Sequence, residues 1–335
     1  QVMYYREDIK GQILEEGINE AGAMSSWIAA GSAYSAHGVS MIPFYIFYSM
    51  FGFQRIGDLA WAAGDMQVRG FLMGGTAGRT TLAGEGLQHQ DGHSLVVAGT
   101  IPNCVSYDPT FAYELAVIIH DGMKRMYQLK ENVFYYISVM NENYLHPAMP
   151  KGSEEGIIKG LYCLEEGEQR GLKVQLMGSG TILREVIAAA ELLKKDFKVN
   201  ADVWSVTSVN ELAREAKSCA RWNKLHPTKK ARQSYLETQM RGRKGPVIIS
   251  TDYIRAYAEQ IREFVWSRFV SLGTDGYGRS DTRENLRIFF EVNRYYIVIA
   301  ALKALSDDGD IESKVVQQAI KKYGIDPEKP NPVTV

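Results

Sequence analysis

Long apolar runs are missing from this sequence. The longest, Tyr295 to Leu302, is eight residues, against the roughly 20 that a membrane-spanning helix requires. No membrane partner is expected, and the chain reads as soluble. An excess of one charge is missing as well: 38 Lys and Arg face 39 Asp and Glu, a formal net charge of −1. That balance offers nothing to nucleic acid or to an anionic membrane surface. Cysteine is scarce, and Cys104, Cys163 and Cys219 lie too far apart for a zinc pair or a disulfide framework to be read from spacing. A reducing, cytoplasmic setting fits that usage best. No repeat or low-complexity tract interrupts the 335 residues, a length that accommodates two domains and a sizeable core. The chain opens at Gln1, without an initiator Met or a basic, apolar leader. It therefore reads as a piece of a longer polypeptide.

What the sequence does contain is an alternation of helix-period segments with short apolar runs, the pattern of an α/β protein with parallel sheets. In the first half the pattern predicts helices at about Ile9 to Ala30, Phe53 to Met66 and Thr110 to Lys130. Strands are predicted at Met41–Phe47, Gly70–Met73, Asn103–Ser106 and Val133–Val139. The polar segment Asn141–Gly156, with two prolines, divides the chain into a domain over residues 1–150 and another over 151–335. The second half alternates again, with strands at Lys173–Met177, Ala201–Val206, Pro246–Ser250 and Arg268–Leu272. Its helices are expected at Thr181–Lys195, Asn210–Ala220, Asp252–Glu263 and Tyr295–Leu305. The basic stretch Arg221–Lys244 reads as a solvated face or loop.

Four features could carry chemistry. On a wheel drawn for the first helix, Ile13, Ala21, Met24, Trp27 and Ile28 share one arc, Gly17 lies near its middle, and Glu20 falls inside it. A carboxyl among apolar neighbours can share a proton with a nitrogen heterocycle, or simply serve a structural hydrogen-bond network. Second, Phe44, Tyr45, Phe47, Tyr48, Phe51 and Phe53 straddle the end of a strand, where ligands of parallel sheets bind. They suit a stacking platform or ordinary core. Third, His89 and His93 stand four apart, but Gly86 and Gly92 argue against the helix that a zinc pair at this spacing needs. Proton transfer or plain solvent exposure remain open for them. Fourth, Gly178-Ser-Gly180 follows a strand but lacks the rest of a phosphate-loop or dinucleotide motif, so tight strand-to-helix packing explains it better.

Taken together, Gly17-Ile-Asn-Glu20-Ala-Gly-Ala-Met24, the aromatic run ending at Phe51, and Gly84-Glu-Gly-Leu-Gln-His89 resemble the thiamine-diphosphate enzymes of the transketolase superfamily. The resemblance is closest to the homodimeric, decarboxylating component of pyruvate dehydrogenase complexes and covers essentially the whole chain. The strings MIPFYIFYSMFGFQRIGDL, GEGLQHQDGHS, SYDPTFAYE, NENYLHPAMP and LGTDGYGRSDTRENLR carry it. It implies a parallel-sheet domain that binds the cofactor's pyrimidine half, followed by a transketolase-like C-terminal domain serving dimerisation. Glu20 would contact the aminopyrimidine ring nitrogen, Tyr48 and Phe51 would pack against that ring, and His89 would act on the pyruvate-derived species. Glu85, His93 and Arg55 stay outside the catalytic set.

The same resemblance implies Mg²⁺ held by a Gly-Asp-Gly motif, which this chain lacks. The diphosphate end would then belong to a separate N-terminal domain and the site would form with the second subunit of a homodimer, leaving this chain silent alone. The activity implied is oxidative decarboxylation of pyruvate with acetyl transfer to the lipoyl group of the complex's acetyltransferase. Transketolase-type ketol transfer and a non-catalytic assembly module are the alternatives.

Overall fold

Strands form where short aromatic and β-branched runs can be covered on both faces. The computed structural model describes residues 6–335, and these form two sheets. The first contains β1 (Phe44–Tyr48), β2 (Phe71–Gly75), β3 (Cys104–Tyr107) and β4 (Phe134–Ser138) in the order β1-β2-β4-β3. Every neighbouring pair is parallel. Phe44 is level with Phe71 and Tyr48 with Gly75, so β1 and β2 end together. The second sheet has the order β5-β7-β6-β8-β9, from β5 (Tyr162–Glu165), β6 (Lys173–Gly178), β7 (Asn200–Ser205), β8 (Val247–Ser250) and β9 (Phe269–Leu272). All its pairs are parallel except β5 with β7. This antiparallel edge strand escaped the sequence pattern because it is four residues long, bulged and ends in Glu165.

The α/β reading with two layered sheets holds, but the first helix is displaced from its expected place. Helix α1 runs from Glu20 to Ala36, not from Ile9 to Ala30. Gly17 turns the chain at φ +67°, and Asn19 then caps the helix by accepting the Gly22 N–H at 3.1 Å. The arc that linked Ile13 and Gly17 to Met24 therefore does not exist; Ile13 is 84% exposed. Helices α2 (Gly52–Asp65), α3 (Ser94–Thr100) and α4 (Ala112–Met123) complete the first half. The helix expected over Asp252–Glu263 shrinks to Arg255–Glu259 and a short 3₁₀ turn. Part of Arg221–Lys244 is ordered after all: helix Tyr235–Met240 starts at a capping box between Ser234 and Glu237.

The two sheets share a core. One cluster of buried side chains runs from Met24 and Trp27 through Phe134 and Tyr136 to Trp204, Tyr253 and Ile261. Buried carboxylates stitch the same seam. Glu114 accepts the Thr110 and Phe111 N–H groups of its own helix start, together with the Tyr162 and Ser205 hydroxyls of the second sheet. Asp108 accepts the Ser138 and Ser179 hydroxyls, at 2.5 and 2.6 Å, and its backbone carbonyl accepts the Gly180 N–H. The Gly178-Ser-Gly180 turn is thus spent on packing the halves together. No helix among the described residues is long and apolar enough to cross a membrane.

Candidate active site

The site is built where β1 and β2 end, at the carboxyl edge of a parallel sheet. Beyond Tyr48 the chain makes a 3₁₀ turn, Ser49–Phe51, and enters α2 at Gly52. A side chain at Gly52 would overlap the Phe47 ring, so only glycine permits so close a return. The turn sets the Tyr48 and Phe51 rings 5.4 Å apart. His89, from a second 3₁₀ turn at Leu87–His89, stands edge-on to both, 5.5 Å from Tyr48 and 5.1 Å from Phe51. Its Nδ1 is buried and has no hydrogen-bond partner among the described residues, with Glu85 Oε2 at 3.7 Å.

Arg55 lies one helical turn beyond Phe51, and its guanidinium covers that ring at 4.4 Å. From there Nη1 donates to Glu20 Oε1 at 2.5 Å. Glu20, the first residue of α1, is mostly covered, with 18% of its side chain exposed. The setting is therefore not purely apolar: an arginine that sequence reasoning left aside supplies its counter-charge. Tyr45 contributes a hydroxyl 3.5 Å from the Glu20 carbonyl. Burial, aided by the Glu20 and Glu16 carboxylates, pushes the Tyr45 phenol up to about 12, which keeps it a neutral donor. Glu20, Phe51, Tyr48 and His89 form one continuous cluster, joined through Arg55. His93 stands next to it, with Nε2 3.1 Å from Gln54 Nε2.

Asp91 locks the two turns of the site to each other. It is fully buried and accepts the His93 and Ser94 N–H groups on Oδ1, both at 3.0 Å, and the Ser49 and Ser94 hydroxyls on Oδ2. Ser49 belongs to the aromatic turn, and Asp91 lies two residues beyond His89. Nothing in the sequence marks this aspartate apart from its place in the GEGLQHQDGHS string. Among the described residues no group of three or more His, Cys, Asp or Glu side chains is placed to hold a metal ion. The stretches 241–245 and 264–269, without function in the sequence, meet elsewhere in a cleft of about 390 Å³ lined by Met240, Arg241, Phe264 and Trp266.

Comparison with known proteins shows the family. Residues 1–147 match the family model of the pyruvate dehydrogenase E1 component middle domain, and residues 160–293 match the transketolase-like C-terminal domain. A pyruvate dehydrogenase E1 component of Pseudomonas aeruginosa is 68% identical over 99% of this chain, and one of Escherichia coli K12 is 60% identical, also over 99%. The chain belongs to the pyruvate dehydrogenase E1 family. It is the C-terminal part of such an E1 component, spanning 38% of the Pseudomonas relative and 37% of the Escherichia relative. Solved structures share the fold. A Campylobacter jejuni transketolase superposes with a TM-score of 0.59 at 17% identity, covering 82% of this chain and 38% of its own. A split-gene transketolase, solved as an inactive β4 tetramer, gives 0.62 at 17% identity, covering 87% of this chain and 83% of its own.

Proposed function

We propose that this chain supplies the pyrimidine-binding half of a thiamine-diphosphate site in an enzyme that decarboxylates pyruvate and passes the acetyl group to a lipoyl group of its complex. The carrying observation is the continuous Glu20–Arg55–Phe51–His89–Tyr48 cluster at the strand ends, in a chain 68% identical to an E1 component. A carboxylate beside paired aromatic rings matches a flat, hydrogen-bonding heterocycle in its chemistry, so the residues present fit that half of the cofactor. When bound, thiamine diphosphate supplies a carbon nucleophile and an electron sink for decarboxylation.

This chain's own part is orientation and proton handling. Glu20 would hold a proton at the pyrimidine ring nitrogen. Arg55 keeps that carboxylate in place at 2.5 Å. Tyr48 and Phe51 would cover the ring and exclude water. His89 would hold or move a proton on the substrate side, consistent with a buried Nδ1 that has no hydrogen-bond partner among the described residues. Among the described residues no three His, Cys, Asp or Glu side chains converge to hold Mg²⁺, and the sequence has no Gly-Asp-Gly motif. The Mg²⁺ and diphosphate end, we infer, belongs to an N-terminal domain and to the second subunit of a homodimer. The structural neighbours at 17% identity share only the fold, so the E1 relatives favour pyruvate over ketol transfer.

The test is Glu20→Ala in the complete enzyme. Pyruvate decarboxylation and thiamine-diphosphate affinity should both fall, by tenfold or more for a lost general acid–base contact. Retention of both would sink the reading.

A further inference from the structure

The loop that carries His89 is exposed only at its tip, residues 84–88, and is buried on both sides of it. On the entering side Thr80 and Thr81 are clamped by Asp252, beyond β8, whose two carboxylate oxygens accept both N–H groups and both hydroxyls. Arg79 reaches into the second half as well, donating from Nη1 to the carbonyls of Thr274 and Gly276 at 2.5 Å. On the leaving side stands Gln90, fully buried and next to His89. Its Nε2 donates to the Leu82 carbonyl at 2.7 Å, closing the loop on itself, while its Oε1 accepts the Arg279 N–H at 2.7 Å. The Gly84 N–H donates to the Asp281 carbonyl at 3.0 Å, and Arg283 Nε donates to the Thr81 carbonyl at 2.7 Å. Gly278 lies so close that a side chain there would overlap the Leu87 carbonyl and press on Gln90.

From these contacts we propose that the segment from Thr274 to Arg283 of the second half is a brace that sets the position of His89, with Gln90 as the positioning residue and Gly278 as the point of closest approach. The second half then does more than dimerise. It decides where the imidazole stands against Tyr48 and Phe51. The brace's hydrogen bonds to this loop end on Arg79, Thr81, Gly84 and Gln90, and none of these ends on Glu20 or the aromatic turn. Its loss should therefore affect the substrate side and spare the cofactor side.

The proposal rests on His89 acting on substrate, and the experiment separates the two. In the complete enzyme, Gly278→Ala should lower kcat for pyruvate by about tenfold or more, since displacement by about 1 Å can cost a hundredfold. Thiamine-diphosphate affinity should stay within about twofold. Amide exchange over residues 84–90 should rise. In a His89→Ala background the same substitution should cause no further loss, as expected when two groups act as one unit. Gln90→Asn, too short to reach Leu82 and Arg279 together, should reproduce the pattern if Gly278→Ala does not fold. Equal fractional losses with and without His89, lost cofactor affinity with kcat unchanged, or unaltered exchange over 84–90 would each overturn the brace. Should His89→Ala alone leave kcat intact, the role of His89 falls, and the exchange measurement still decides the brace.

Discussion

Asp91 offers the sharpest test of how the site is held, because its two oxygens do different work. Oδ1 accepts two backbone N–H groups, from His93 and Ser94, at the start of α3; Oδ2 accepts two hydroxyls, from Ser49 and Ser94. In Asp91→Ala the buried Ser94 N–H loses its acceptor, at about 1–3 kcal/mol, and three further bonds go at about 0.5–1.5 kcal/mol each. Partial relaxation brings the expected total to about 3–5 kcal/mol. Asp91→Asn behaves differently. Its carbonyl oxygen can keep the Oδ1 position, and its amide can donate to hydroxyls that rotate to accept. Only the charge assistance is lost, about 1–2 kcal/mol. Urea unfolding of the 335-residue chain should show this as two separated midpoint shifts at constant slope. In the complete enzyme, Asp91→Ala should also lower turnover, because the aromatic turn and the His89 loop lose their common anchor. An alanine variant within about 1 kcal/mol of the parent, or an asparagine variant as costly as alanine, would refute the reasoning.

Two further outcomes are expected. Burial pushes the Asp108 carboxyl up to about 7, against the opposing hydrogen bonds from Ser138 and Ser179. The folded chain then holds this proton more tightly than the unfolded chain, so this carboxyl makes stability fall as pH rises from about 4 to about 7, and level off above. Asp108→Asn cannot ionise, so its stability relative to the parent should improve across that window. A difference between the two urea midpoints that is the same at every pH would contradict this. Calorimetry of residues 1–335 alone with thiamine diphosphate and Mg²⁺ should give no saturable heat. Tight binding by this piece would refute the divided site.

Much of the site was legible because its parts are local. Tyr48, Phe51 and Arg55 lie within eight residues at a strand-to-helix junction, and a parallel strand's end is where a ligand is expected. Arg55 was nevertheless set aside, since only packing of α1 on α2 brings its guanidinium to Glu20. The start of α1 was misjudged for a related reason: periodicity ran through Ile13 and Gly17, whereas a positive φ at Gly17 and the Asn19 cap stop the helix short. Asp91 and Gln90 carried no signal, because their hydrogen bonds to Ser49 and Arg279 span about 40 and almost 200 residues and have no periodicity to read; nor did Gly278, whose closeness to Leu87 is set by packing alone.

By itself the sequence determined the class of the fold, the alternation that builds two sheets, and the residue types gathered where a strand ends, because propensity, burial pattern and turn chemistry act over a few residues at a time. Only the tertiary structure decided which charge faces Glu20, what ties the histidine loop to the aromatic turn, and that the second half reaches back across the seam to hold it. Those are matters of packing between distant segments, fixed by shape and by the need of buried polar groups for partners.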